Sequence, residues 1–315
     1  LGGDVTPTSN QLQFGSVALS NNVQLQSNGG TIGLGSGVAG NNRDLTIVTT
    51  GGATSTGDIT GVKVLTTNAG TGTLSANSVS ANIASLGGNV TTAAGQTYAT
   101  STTFTQDVTL TGGAGSTLSL GQANSSGGAR NVTTSAGTTD IQSTGTNLGT
   151  LDVTGNLTTH GIVIATTVDV SGGASLGGDV VSSAGNQSYG GTTLTADSTL
   201  TAMAGAGSIG TGAITGAGHS LTLNGVATIG NTTGVAALTA NNNLSAGAIT
   251  AASATLNGNT TSSGALTTTG NLTTATGKTL NAASVSVGGN SSLGGNVTTT
   301  TTQAYSGAMA LTGPG

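Results

Sequence analysis

Leu86-Gly87-Gly88-Asn89-Val90, running on through Gln96 to Tyr98, is the stretch around which this chain is organised. The same order recurs as Leu176-Gly177-Gly178-Asp179-Val180, leading to Gln187 and Tyr189. It recurs again as Leu293-Gly294-Gly295-Asn296-Val297, leading to Gln303 and Tyr305. A looser copy opens the chain, from Leu1-Gly2-Gly3-Asp4-Val5 to Phe14. The protein has 3 tyrosines, and all of them fall in this one slot. A rare residue kept twelve or thirteen residues after the leucine marks a tandem array. The copies begin at positions 1, 86, 176 and 293, so the period is irregular. A closed domain tolerates such drift poorly, whereas a coil of small rungs absorbs it by lengthening.

Shorter words lie beneath the long one. Gly-(Asp/Ala)-Ile-Thr opens at Gly57, Gly212 and Gly247, and Thr-Leu-Asn opens at Thr222, Thr255 and Thr279. Strand signals such as Val108-Thr109-Leu110 and Val285-Ser286-Val287 alternate apolar and polar for a few residues, then stop at Gly, Asn or Ser. No window carries a helical apolar stripe.

Composition points the same way. Gly occupies 57 of 315 positions, charged residues make up 4%, and the formal net charge is only -5. Low charge and only 2 prolines argue against a disordered chain. Two Phe and three Tyr cannot fill a thick interior, which leaves a core one side chain deep, repeated many times. The expected fold is all-β with little or no helix: a right-handed parallel β-solenoid of about 20-residue rungs. Three short strands per turn would meet at Gly and Asn corners. About 16 rungs at the ~4.8 Å strand spacing would make a rod of roughly 75 Å. The expected organisation is one continuous solenoid over 1–315, with super-repeats 1–85, 86–175, 176–292 and the start of another at 293–315. Asn, Thr and Ser would stack over like neighbours, whereas charges stacked at that spacing would repel.

The repeated slots are read structurally. Leu1, Leu86, Leu176 and Leu293 begin each copy. Asp4, Asn89, Asp179 and Asn296 share one position, and the free exchange of amide for carboxylate suits an Asx-type turn bond rather than catalysis or metal binding. Phe14, Tyr98, Tyr189 and Tyr305 are expected to cover the apolar edge of a corner or cap a wider rung, with a sugar-stacking platform as the alternative.

The run Asn186-Gln-Ser-Tyr-Gly-Gly-Thr-Thr-Leu-Thr-Ala-Asp-Ser-Thr-Leu-Thr201 resembles the repeats of filamentous-haemagglutinin-type adhesins, exoproteins exported by two-partner secretion. Gln96 to Leu110 and Gln303 to Thr312 are similar, and the Gly/Thr/Asn style extends to autotransporter passengers. The resemblance implies a parallel β-helix at the cell surface or released from it, acting in adhesion, aggregation or biofilm matrix. The amino-terminal secretion domain of that family is not recognisable here.

Several functions are disfavoured. Four basic residues, Arg43, Lys63, Arg130 and Lys278, cannot neutralise a nucleic-acid backbone. The longest apolar run, Ile162-Val163-Ile164-Ala165, is far short of a membrane span, and Leu1 opens no signal peptide. With no Cys, thiolate metal sites and disulfides are excluded. His160 and His219 stand in unrelated contexts, and the nine Asp are scattered, so no catalytic set, cofactor or metal is expected. Thr-rich stretches such as Thr298 to Thr302 are too unevenly spaced for an ice-binding solenoid. The expected function is an extracellular fibre or adhesin shaft. Its expected partners are itself, head-to-tail through open ends, or the rest of a longer adhesin, and extracellular polysaccharide. The alternative is a functional amyloid of stacked cross-β chains; a β-helix polysaccharide enzyme is more remote.

Overall fold

The computed structural model describes residues 1–7, 11–67, 72–203 and 207–313. Gly315, where the last copy stops, lies outside them. No helix occurs among the described residues, and the strands form parallel pairs with rungs about 19 residues apart. The chain divides into two compact units, Leu1–Thr158 and Thr159–Gly315.

In the first unit each turn passes three strand positions, the second and third often joined in one strand such as Val38–Val48 or Gln96–Phe104, and each position builds its own inward ladder. Leu12, Ile32, Ala53, Leu74, Val90 and Leu110 stack on one face. Val17, Val38, Ile59, Val79, Gln96 and Leu118 stack on the second. Val23, Leu45, Leu65, Ala84, Thr102 and Ala123 stack on the third. Alternation produces this directly: in Val108–Thr111 and Leu74–Ala76 every second residue is buried and the one between looks outward. The core is therefore a set of aliphatic columns, and burying each Val or Leu contributes about 1.5–3 kcal/mol.

The second unit repeats the plan. Its first column runs Val180, Leu200, Leu223, Ala240, Leu256, Thr274, Leu293 and Leu311. Its second runs Gln187, Ile209, Ala227, Leu244, Thr260, Leu280 and Val297. Its third runs Thr192, Ile214, Thr232, Ile249, Leu266, Val285 and Gln303. The motif valine thus stands on the first face as Val180 and on the second as Val297. The motif glutamine moves with it, from the second face as Gln187 to the third as Gln303.

Outward positions also fall into register here. Thr199, Thr222, Thr239, Thr255 and Thr273 lie on five successive rungs although their sequence spacing is uneven. The unevenness is absorbed at the corners, not in the strands. Beside them runs a chain of side-chain bonds. The Asn224 amide donates to Thr201 Oγ1 (3.2 Å), Asn241 donates to Asn224 Oδ1 (2.6 Å), and Asn257 donates to Asn241 Oδ1 (2.8 Å). The Thr-Leu-Asn words at Thr222 and Thr255 are where these two outward rows meet.

The corners use glycine mainly for closeness rather than for unusual φ. A Cβ on Gly212 would come within 1.9 Å of the Gly190 carbonyl oxygen in the rung before it. Left-handed backbone does occur at Asn41 and Asn42 (φ 52° and 58°), within the long strand Val38–Val48.

Candidate functional site

The most specific arrangement in the chain is built by the organising motif itself. Gln96 and Tyr98 are two apart in Gln96–Phe104, so both point inward, and both are 0% exposed. Tyr98 sits between Ala81 on one side and Leu120 on the other, a large ring set beside a small neighbour. Its hydroxyl donates to Gln96 Oε1 (3.0 Å). The Gln96 amide nitrogen in turn donates to the carbonyls of Val90 (3.1 Å), in its own rung, and Thr111 (3.0 Å), in the next.

The second copy has the same wiring. Tyr189 donates to Gln187 Oε1 (3.0 Å), and Gln187 Nε2 donates to the carbonyls of Val180 (3.0 Å) and Thr201 (2.9 Å). Burying a primary amide without partners is costly. Here both ends of each glutamine are occupied, so it clips two rungs and one tyrosine together.

The Asx slot completes the clip. Asp4 Oδ1 accepts the Gln24 backbone N–H (2.7 Å), Asn89 accepts that of Thr109 (2.8 Å), and Asp179 accepts that of Thr199 (2.7 Å). Each bond reaches 20 residues ahead, into the following rung. The bond is thus a staple between rungs, whereas a local Asx turn would close two residues on. Amide and carboxylate exchange freely because only an acceptor oxygen is required. Asn131, Asn231, Asn271 and Asn290 make the same kind of bond elsewhere.

The third copy is half made. Tyr305 donates to Gln303 Oε1 (3.0 Å) and Gln303 Nε2 donates to the Val297 carbonyl (3.2 Å). Among the described residues neither the second acceptor for Gln303 nor a donor for Asn296 is present. Tyr305 is only half-buried, and Met309 and Leu311 are 48% and 75% exposed. With Val297 and Gln303 they bound a hollow of about 310 Å³.

Leu86, Leu176 and Leu293 are buried, and Leu1 is half-buried. Phe14 is half-buried beyond the strand Leu12–Gln13 and carries no hydroxyl, so the first copy has the staple but no clip. With Tyr98 and Tyr189 enclosed, neither ring is offered to a sugar. Gln96, Gln187 and Gln303 were not among the expected slots. Their signal is parity, since a glutamine always stands two residues before the tyrosine and so on the same face.

Little else gathers chemistry. Among the described residues no three His, Cys, Asp or Glu side chains cluster as a metal would need. His219 Nδ1 lies 3.7 Å from Asp197 Oδ1, and that same oxygen accepts the Ser220 N–H. Asp58 accepts the Ser78 hydroxyl and the Asn77 amide, 2.7 Å each, which hold its carboxyl below the usual range.

No family model, curated protein or solved structure matches this chain.

Burial pushes the Tyr98 and Tyr189 hydroxyls well above the ordinary tyrosine range, and Tyr305 upward as well. A pKa raised by folding stabilises the native state below the unfolded-state value of about 10, and that stability is lost as pH rises beyond it. Alkaline titration of the native protein should therefore develop tyrosinate absorbance from Tyr305 first. Tyr98 and Tyr189 should ionise only together with loss of the β-sheet circular dichroism signal. Three tyrosines titrating with the sheet intact would refute the enclosed clip.

Proposed function

We propose that this chain is a structural shaft of a bacterial cell-surface or extracellular fibre, serving adhesion or matrix scaffolding. The observation that carries this reading is where the polar side chains go. In the two complete clips the motif's amide and Asx oxygen bond the following rung and the hydroxyl bonds the amide oxygen, none being held out toward a ligand. The chain's specific chemistry is spent on stacking, which suits a spacer that gains reach by adding rungs. The similarity of Asn186 to Thr201 to filamentous-haemagglutinin-type repeats supports the same role. So does the near absence of charge, which lets like rungs lie over one another. On this reading its partners are further rungs meeting it end to end, and polysaccharide lying along the in-register Thr and Asn rows. It carries out no reaction.

The test is made on the source cells. Antibody against this chain should label the outside of intact cells or the surrounding matrix, and cells lacking the chain should attach to one another less. Label found only after lysis, with attachment unchanged, would reject the proposal.

A further inference from the structure

The chain contains Asn-Gly three times, at Asn28-Gly29, Asn224-Gly225 and Asn257-Gly258. This dipeptide carries a chemistry of its own. The glycine main-chain nitrogen, unhindered by a Cβ, attacks the asparagine Cγ and gives up its proton. The bond from Cγ to Nδ2 breaks and ammonia leaves. Water then opens the resulting cyclic imide at either carbonyl, giving aspartate or isoaspartate. Water is the only co-reactant. The rate depends on whether the asparagine side chain can swing over the main-chain nitrogen that follows it.

The fold treats the three pairs differently. Asn224 ends the strand Leu221–Asn224, in register with Thr201. Both ends of its amide are held, Nδ2 donating to Thr201 Oγ1 (3.2 Å) and Oδ1 accepting from Asn241 (2.6 Å). Asn257 Nδ2 donates to Asn241 Oδ1 (2.8 Å), and its backbone N–H is bonded to the Ala240 carbonyl. The glycine is confined there too, since a Cβ on Gly258 would lie 2.2 Å from the Asn242 carbonyl. At both sites the amide is drawn back to the preceding rung, away from the attacking nitrogen. Asn28 is exposed, at the corner between Val23–Gln26 and Ile32–Gly33, and its amide has no partner among the described residues. Gly29 has φ 86°, and a Cβ there would meet only Thr50 Oγ1, at 3.7 Å. The Gly29 N–H reaches only back to the Ser27 carbonyl (3.0 Å), within the corner itself.

We infer that Asn28 is a modification site, where the folded chain converts itself to aspartate and isoaspartate, and that the asparagine ladder shields Asn224 and Asn257 from the same reaction. Conversion at Asn28 adds a carboxylate and, as isoaspartate, a further main-chain carbon. Both changes fall at a corner, outside the strands. Spacing between neighbouring rungs already varies from place to place, so the corner takes the added length without disturbing the columns.

The test is to age the full chain at mildly alkaline pH and map its peptides by mass spectrometry, with isoaspartate counted by enzymatic carboxyl methylation. Asn28 should convert while the β-sheet circular dichroism stays unchanged. Asn224 and Asn257 must await local opening of their rungs and should react at least about tenfold more slowly. In guanidinium the three should react at similar rates, which would show that the fold sets the order. Asn241→Ala removes the acceptor of Asn257 and a donor to Asn224, and should speed both while leaving Asn28 as it was. Thr201→Val takes only the acceptor of Asn224 and should speed that site alone. Equal rates at the three sites in the folded chain would overturn the inference, as would an Asn28 that reacts only in guanidinium. So would folded ladder variants in which Asn224 and Asn257 react no faster than before.

Discussion

Tyr98→Ala should lower the unfolding free energy by about 4 kcal/mol, the usual range for emptying a fully buried aromatic site. The ring is 0% exposed between Ala81 and Leu120, and neither neighbour can reach across the gap it would leave. Removing it also strips buried Gln96 Oε1 of the hydroxyl that donates to it. Tyr98→Phe separates these effects. It keeps the volume and loses the hydroxyl, and should cost about 1–2 kcal/mol, the penalty for one buried acceptor left unsatisfied. Tyr305→Ala, in the third copy of the motif, should cost less than about 1 kcal/mol because its ring is half in solvent already. Guanidinium midpoints for the three variants check this order. If Tyr305→Ala were as damaging as Tyr98→Ala, the third clip would have to be closed in solution.

Gly212→Ala should be nearly as severe, at about 3 kcal/mol, although it adds a single carbon. That carbon would stand 1.9 Å from the Gly190 oxygen, and both atoms belong to corner backbone that cannot swing aside. The rung must therefore lift at this corner, weakening the Ile214 pairing to Thr192 before it and to Thr232 after it. Gly3→Ala is the control, since nothing lies within 4 Å of a Cβ there, and it should leave stability unchanged within about 0.5 kcal/mol. Thermal unfolding followed by circular dichroism distinguishes the two. Equal melting temperatures would mean that the corners are looser than their packing indicates.

The parallel solenoid could be read from the sequence because its two ingredients are local. Alternation over Val108-Thr109-Leu110 fixes which side chains enter the core, and the recurrence of the Leu-Gly-Gly-Asx-Val word announces stacking. Partner choice could not be read. Among the described residues, in-register partners on neighbouring rungs are separated by as few as 16 residues at Ala240–Leu256 and as many as 24 at Val108–Val132. Corner length sets that number, and corner length leaves no periodic signal. The same gap hid the true destination of the Asx bond, since a staple reaching 20 residues forward looks like a turn residue from its neighbours alone. Gln96 was overlooked because a glutamine reads as surface by composition. Only the ladder placing it between Val79 and Leu118 shows that it is core. The threonine row could not be read for a related reason, because Thr199 to Thr273 are uneven in sequence and aligned in space.

The shift of the motif valine from one face to the next between Val180 and Val297 bears on how such a chain can change. Since a copy works on either face, the unit of gene duplication can be a single strand-and-corner segment. A duplication or loss of one such segment would swing every later strand through a third of a turn. The interior would register little of the event, because all three columns are built mainly of the same small aliphatics with occasional Thr. The exterior would be reassigned wholesale, with a different row of side chains brought to each side. Variation in the displayed surface could then arise from slippage in a repetitive gene, with no substitution at any surface position.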